Sequence, residues 1–137
     1  MTRKTTLEKN HLALVEFLLL SKHEVVAIGG LHGLTPMQSL ALLALDEPRS
    51  MHELRHVFNC DPSNVTGIID GLERKGLAAR GTHAEDRRIK QIQLNKKGVK
   101  ARQAIVHELA GKRSYILAKL SDAEAETFIG LLQKITT

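Results

Sequence analysis

The stretch CDPSNVTGIIDGLERKG, residues 60–76, constrains the fold most, because it predicts a short helix with two different faces. Asp61 and Pro62 suit the N-cap and the first helical position, and Gly76 suits the helix end. The apolar residues recur at helical spacing and predict one face packed on a core: Val65, Ile68, Ile69 and Leu72.

The opposite face of this predicted helix is polar and carries Ser63, Gly67, Asp70 and Arg74. Gly67 and Gly71 are each about 1 kcal/mol less favourable than Ala in an exposed helix interior. A helix that approaches another surface closely has a reason to keep both glycines. We therefore predict that this face is presented to a partner.

The net charge of +5 is concentrated around the same helix. Residues 49–100 contain 11 Lys and Arg against 6 Asp and Glu, whereas the rest of the chain contains 9 of each and is neutral. A segment that holds the whole basic excess is expected where a protein meets a polyanion such as nucleic acid.

Two further helices are predicted from capping boxes, in which an N-cap Ser or Thr and a Glu or Gln three residues later bond each other's backbone. One box begins at Thr35 and opens a helix through Leu45, and the other begins at Ser50 and opens a helix to Phe58. The inner face of the second helix is expected to contain Leu54, Val57 and Phe58. The helix that ends at Phe58, the turn 59–61 and the helix after that turn together form a helix-turn-helix. The second helix of this motif normally enters the DNA major groove.

A β-hairpin is predicted directly after Gly76, where the hydrophobic period changes. Residues 77–82 form the first predicted strand, residues 83–88 a polar loop, and residues 89–94 the return strand, in which Ile92 and Leu94 alternate with glutamines. A hairpin with a charged tip after a helix-turn-helix is a wing.

Long helices flank this region. Residues 5–28 predict a helix that is apolar over most of its girth and ends at Gly29 and Gly30, so burial against a second copy of the chain is expected. Residues 96–120 and 122–135 predict two more helices. The predicted fold is mainly α with a small β-hairpin wing, a winged helix-turn-helix with long N- and C-terminal dimerisation helices. Its parts, within one compact domain, are residues 1–34, 35–95 and 96–137.

The stretch DRRIKQIQLNKKG, residues 86–98, resembles the wing signature of the MarR family of bacterial winged-helix regulators, although Asn95 replaces the usual Thr. Residues 61–66 and 70–73 are similar to that family's recognition helix. The resemblance implies a homodimer, joined by its first and last two helices, that represses transcription from a pseudo-palindromic operator on double-stranded DNA. Many members release DNA when a small-molecule effector, an oxidant or a metal binds.

The candidate DNA-binding residues follow from position and chemistry. A major-groove helix reads bases from its first turn, so the predicted reading residues are Ser63, Asn64, Thr66 and Gly67, of which Asn64 suits adenine. Arg74 is better placed for a phosphate, and Asp70 is expected to pair with Arg74 or with a wing residue. In the wing, Asp86 is expected to hold Arg88, while Arg88 or Arg87 enters a minor groove.

Two alternative functions are carried by short motifs. His52-Glu53-Leu54-Arg55-His56 spells HExxH, the signature of a zinc metallopeptidase, but Glu53 already belongs to a capping box and a third ligand is not evident. Cys60 begins the cap region of the presented helix, so a redox-responsive regulator is the other alternative. We expect no enzyme activity, no metal site and no cofactor.

The location expected from the sequence is the cytoplasm. A single cysteine cannot form an internal disulfide, and neither a signal peptide nor a membrane span is apparent. The expected partners are therefore double-stranded DNA, a second copy of the chain and a possible small-molecule effector, with no membrane.

Overall fold

The structure, a computed structural model, describes residues 2–59, 62–111 and 115–137, with side chains for residues 6–59, 64–111 and 115–137. Helices and strands follow one another in this order: α1 (Thr2–Leu31), α2 (Pro36–Ala44), β1 (Arg49–Ser50), α3 (Met51–Phe58), α4 (Pro62–Arg74), β2 (Ala78–Thr82), β3 (Lys90–Leu94), α5 (Lys96–Ala110), a 3-10 turn (Leu117–Lys119) and α6 (Asp122–Thr136). The predicted fold class, mainly α with a β-hairpin wing, is confirmed.

The chain divides into two compact units, one formed by residues 25–107 and the other by residues 1–24 with 108–137. No helix in the described part of the chain is long and apolar enough to cross a membrane.

Capping boxes start three of the helices, as predicted. At α2, the Gln38 backbone N–H donates to Thr35 Oγ1 (3.2 Å) and the Thr35 N–H donates back to Gln38 Oε1 (3.1 Å). Ser50 and Glu53 make the same pair of bonds at α3, both at 3.1 Å. The third box, at α6, begins at Ser121. Each box satisfies two backbone N–H groups that would otherwise lack a helical partner.

Helix α1 continues to Leu31, so the predicted end at Gly29 and Gly30 is wrong. Gly29 serves a close helix contact instead, because a Cβ at this position would lie only 1.8 Å from Ser39 Oγ on α2. The turn comes at Gly33, whose φ of 73° lies in the left-handed region that glycine adopts readily.

Helix α5 ends at Ala110, ten residues before the predicted end at residue 120. Gly111 follows directly and its N–H bonds the carbonyl of Glu108 (3.3 Å), the tighter i to i+3 pattern typical of a helix end. Residues 112–114 lie outside the described part, and the 3-10 turn precedes α6.

The core of the 25–107 unit collects one apolar side chain or more from each of its longer elements. The larger of the fully buried apolar residues are Leu42, Leu54, Val65, Ile69, Leu72, Ile92 and Ile105. Burying a side chain of this size contributes roughly 1.5–3 kcal/mol relative to leaving it in water.

Val57, predicted to face inward, is 55% exposed. The prediction was wrong because the inward stripe of α3 consists of buried Leu54 with half-buried Met51 and Phe58, and its centre lies about a quarter of a turn away from Val57.

The wing is part of a three-stranded antiparallel sheet in the order β1-β3-β2. Strands β2 and β3 pair from Ala78 with Leu94 to Thr82 with Lys90. Each strand begins one residue later than predicted. Strand β1, which the sequence did not predict, pairs Arg49 with Ile92. It ties the start of α3 to the wing.

The other unit joins α1 to the C-terminal segment. Phe17 and Phe128 meet edge to face, with ring centroids 5.2 Å apart, and Glu24 Oε1 accepts the backbone N–H of Tyr115. Most apolar side chains of α1 remain more than half exposed within the single chain: Leu7, Leu12, Leu14, Leu18, Leu19 and Leu20. The predicted burial of this helix on several sides is therefore absent from one chain alone.

Candidate nucleic-acid interface

Helix α4 packs one face on the core and leaves the other free, as the sequence predicts. Val65, Ile69 and Leu72 are fully buried, and Asn64, Thr66 and Gly67 are exposed on the surface. Three of the four predicted base-reading residues therefore share an accessible surface. The side chain of Ser63, and all of Cys60 and Asp61, lie outside the described residues.

The two glycines of α4 have different environments. Gly67 is exposed, and a Cβ there would meet open space. Gly71 is buried against α2, where a Cβ would lie 2.4 Å from the Nε2 atom of Gln38. The prediction that both glycines are exposed is wrong for Gly71, because this position faces the neighbouring helix.

The end of α4 is fixed by several bonds. Gly76 has a φ of 70°, and its N–H donates to the carbonyl of Glu73 (2.9 Å). The carbonyl of Gly76 accepts from Asn95 Nδ2 (2.6 Å). Lys75 Nζ donates to Gln38 Oε1 (2.6 Å) and to the carbonyl of Gly33 (2.5 Å). Lys75 is thus engaged in holding α4 to α2, whereas Arg74 is exposed on the accessible surface.

Asp70 pairs with a wing residue, one of its two expected partners. Arg80 Nη2 on β2 lies 2.9 Å from Asp70 Oδ1, and Arg80 Nη1 also contacts Glu73 Oε1. A single arginine therefore joins two carboxylates of α4 to the first strand of the wing.

The wing tip is organised as predicted, with Asp86 holding Arg88. Asp86 Oδ1 accepts from the Arg88 backbone N–H (3.0 Å) and from Arg88 Nε (3.1 Å), while Oδ2 accepts from Nη2 (3.2 Å). The hydrogen bonds from the Arg88 side chain lower the pKa of Asp86 below its ordinary value of 3.8, and the bond from the Arg88 backbone N–H lowers it further. The Arg88 side chain is nevertheless 91% exposed, and Arg87 beside it is exposed too.

The HExxH residues of α3 are not assembled into a metal site in the described part of the chain. His52 and His56 are exposed, and Glu53 is occupied by the capping box with Ser50. Among the described residues, no group of three or more His, Cys, Asp and Glu side chains could hold a metal ion. A catalytic zinc site needs three protein ligands, and the described residues do not bring a third one to His52 and His56.

Sequence reasoning missed Arg80 and Lys75, both of which matter to the site's geometry. Arg80 comes four residues after Gly76, and its partners on α4 precede it by ten and seven residues. The spacing carries no periodic signal, because the contact depends on how β2 folds back over α4.

Comparison with known proteins gives consistent results. The sequence model of a family described as MarR family matches residues 32–89. The chain is 32% identical, over 77% of its length, to a Thauera aromatica protein that is named a transcriptional regulatory protein for the hcr operon. It is also 32% identical, over 65% of its length, to the HTH-type transcriptional repressor YetL of Bacillus subtilis. The chain spans 61% and 53% of the lengths of these two relatives.

A solved structure has the same fold. A mutant of MarR from E. coli, crystallised with operator DNA, aligns with a TM-score of 0.65 at 20% identity. The alignment covers 91% of this chain and 92% of that one.

Proposed function

The chain belongs to the MarR family through its winged-helix region, and from that premise we propose that it is a transcriptional repressor that binds a pseudo-palindromic operator as a homodimer. The name of YetL, a repressor, supports the direction of regulation. The E. coli structure with operator DNA supports double-stranded DNA as the ligand.

The observation that carries this proposal is the pairing of an accessible helix face with an exposed cationic wing tip. Asn64, Thr66 and Gly67 are exposed on α4, and Arg88 extends from the wing within the same unit. A recognition helix reads base edges in the major groove, and an arginine on a wing binds the narrow, electronegative minor groove. Ser63, Arg74, Asp86 and Arg87 complete the proposed DNA-binding set.

The charge distribution supports the same partner. The basic excess of residues 49–100 lies in the segment that contains α4 and the wing. Lys and Arg that neutralise phosphates release counterions, which gives most of the affinity for DNA of any sequence. The remaining part of the chain is neutral and so adds no general attraction.

Homodimer formation is proposed from the exposed leucines of α1. Soluble monomers rarely expose contiguous apolar patches of more than a few hundred Å², and Leu12, Leu18 and Leu19 are each about 60% exposed. A second copy would cover them and place two recognition helices on one side of the duplex, about one helical turn apart.

Control by a small-molecule effector is the remaining part of the proposal and is supported by family resemblance. Such a regulator acts where the chromosome lies, so the proposed location is the cytoplasm.

The proposal is tested by selecting bound fragments from the source genome and titrating a selected duplex and a scrambled one by fluorescence anisotropy. We expect the selected duplex to bind at least about 10³-fold more tightly at physiological salt, as specific DNA-binding proteins do. Equal affinity for the two duplexes would contradict sequence-specific regulation. Genes adjoining the selected fragments would then identify the regulated operons.

A further inference from the structure

We propose that Asp70, Glu73 and Arg80 form a specificity-determining cluster, in which two carboxylates hold Arg80 away from DNA phosphates and so limit binding to DNA of any sequence. This role presupposes the DNA binding proposed above. It assigns the three residues to discrimination between sequences, in contrast to residues that contact bases or phosphates.

The geometry of the cluster is that of one arginine shared by two carboxylates. Asp70 and Glu73 are three residues apart on α4, so they lie on neighbouring turns of one side of the helix. Arg80 projects from β2 and uses both terminal nitrogens, Nη2 toward Asp70 (2.9 Å) and Nη1 toward Glu73. Only 35% of the Arg80 side chain is exposed.

The position of Asp70 explains why its charge matters. Asp70 follows Thr66 by four residues and Gly67 by three, so it shares the accessible face that is proposed to approach the major groove. An uncompensated carboxylate there would repel phosphates of every sequence. Arg80 offsets this repulsion, and in return the carboxylates occupy the donors that would bind a phosphate.

Arg88 at the wing tip provides the contrast. Among the described residues it pairs with the carboxylate of Asp86, and its side chain is 91% exposed. Arg80 has two carboxylate partners and is about one-third exposed. Arg88 at the wing tip can therefore bind a DNA groove, whereas Arg80 stays bonded to the carboxylates of the cluster.

A purely structural role would not require these charges. Ion pairs at this degree of exposure contribute little to folding stability. The hydrophobic contacts of α4 already fix it on the core through Val65, Ile69 and Leu72. Removing the carboxylates should therefore leave a folded protein whose DNA binding can be measured.

The first test is the double variant Asp70→Asn with Glu73→Gln, titrated against a selected and a scrambled duplex over a salt series. A matched control, Glu47→Gln with Glu126→Gln, adds the same two positive charges per subunit at exposed positions away from α4. We expect the cluster variant to bind scrambled DNA roughly tenfold more tightly, with a salt slope steeper by about two per dimer, because each subunit frees one arginine. The selected duplex should gain less, so the ratio of the two affinities falls.

The second test separates an arginine that is held back from one that already contacts DNA. Arg80→Gln leaves two carboxylates unpaired and should weaken binding to both duplexes. Adding Asp70→Asn and Glu73→Gln to it should restore affinity to the wild-type level or above, because nothing then repels the phosphates. If Arg80 contacted a phosphate in the complex, the triple variant would stay weak, and the inference would be wrong.

The remaining outcomes are equally decisive. A cluster variant whose affinity ratio and salt slope match those of the Glu47 and Glu126 control would overturn this inference and leave DNA binding intact. Wild-type protein that bound neither duplex would overturn the proposed function, and this inference with it.

Discussion

Asp86 illustrates how one residue can organise the tip of a hairpin. Its carboxylate accepts three hydrogen bonds from Arg88, two of them from the guanidinium, although that side chain is almost fully exposed. These bonds orient the Arg88 side chain in the free protein. Because the side chain is exposed to solvent, it can leave Asp86 and bind a DNA phosphate or a groove.

The pKa of Asp86 provides a residue-scale prediction. The native pKa is lowered by Arg88, so this pair contributes stability that is present above the ordinary value of 3.8 and is lost as pH falls through the lower native pKa. We expect Arg88→Ala to raise the Asp86 pKa toward 3.8, but not fully, because the backbone N–H of residue 88 remains. NMR titration of the carboxyl carbons measures this directly. An Asp86 pKa that is the same in both proteins would show that the pair does not persist in solution.

The HExxH sequence gives a second prediction at this scale. Glu53 caps α3 by accepting the Ser50 N–H, and Gln can accept the same bond. Glu53→Gln should therefore leave folding and operator affinity nearly unchanged, and purified protein should carry no stoichiometric zinc. One zinc per chain by elemental analysis, with a peptidase activity that Glu53→Gln abolishes, would establish the enzyme alternative.

At the scale of elements, glycines decide how closely α5 and α1 approach their neighbours. A Cβ at Gly98 would lie 1.9 Å from the backbone carbonyl oxygen of Leu77, which cannot move aside like the end of a flexible side chain. We expect Gly98→Ala to destabilise the protein by about 1–3 kcal/mol through overpacking. Gly67→Ala is the matched control, because its Cβ meets open space and Ala favours the helix by up to about 1 kcal/mol.

Urea unfolding of the two variants separates these effects. Opposite shifts of the midpoint, downward for Gly98→Ala and upward for Gly67→Ala, are the expected result. If both variants shifted the midpoint in the same direction by the same amount, the close contact at Gly98 would not be a feature of the folded protein.

Elements with a strong local signal were predictable, and those that depend on tertiary contacts were not. The capping boxes at Thr35, Ser50 and Ser121 located three helix starts, because each is a contact within four residues. Strand β1 has only two residues and therefore no period, so its pairing with β3 could not be read. The burial of Gly71 and the end of α1 beyond Gly29 both depend on contacts with α2, which spacing along the chain does not reveal.

The same distinction applies to the DNA-binding site. Helical spacing alone separated the buried Val65, Ile69 and Leu72 from the exposed Asn64 and Thr66. The Asp86 and Arg88 pair is local and was predicted. The Arg80 contacts bring together α4 and β2 across a glycine turn, and only the folded chain shows them.

For the whole molecule, the exposed apolar residues of α1 predict assembly. Leu18 is 64% exposed in the single chain. We expect wild-type protein to sediment as a dimer at micromolar concentration, and Leu18→Glu to shift it toward monomer, because a charge would then be buried in the joint. Glu47→Gln, at an exposed position outside the helices predicted to form the joint, is a charge-changing control that should leave the sedimentation coefficient unchanged. A folded wild-type monomer in analytical ultracentrifugation would contradict the proposed homodimer.

The measurement that most directly tests the central claim compares Asn64→Ala and Arg88→Ala, by anisotropy, on selected and scrambled duplexes over a salt series. Asn64→Ala should cost about 1–3 kcal/mol on the selected duplex, relax the preference at one position per half-site, and change scrambled binding little. Arg88→Ala should weaken binding to both duplexes and reduce the salt slope by about two per dimer. If Asn64→Ala weakened both duplexes equally, α4 would not read bases. If Arg88→Ala changed neither affinity nor slope, the wing would not contact DNA.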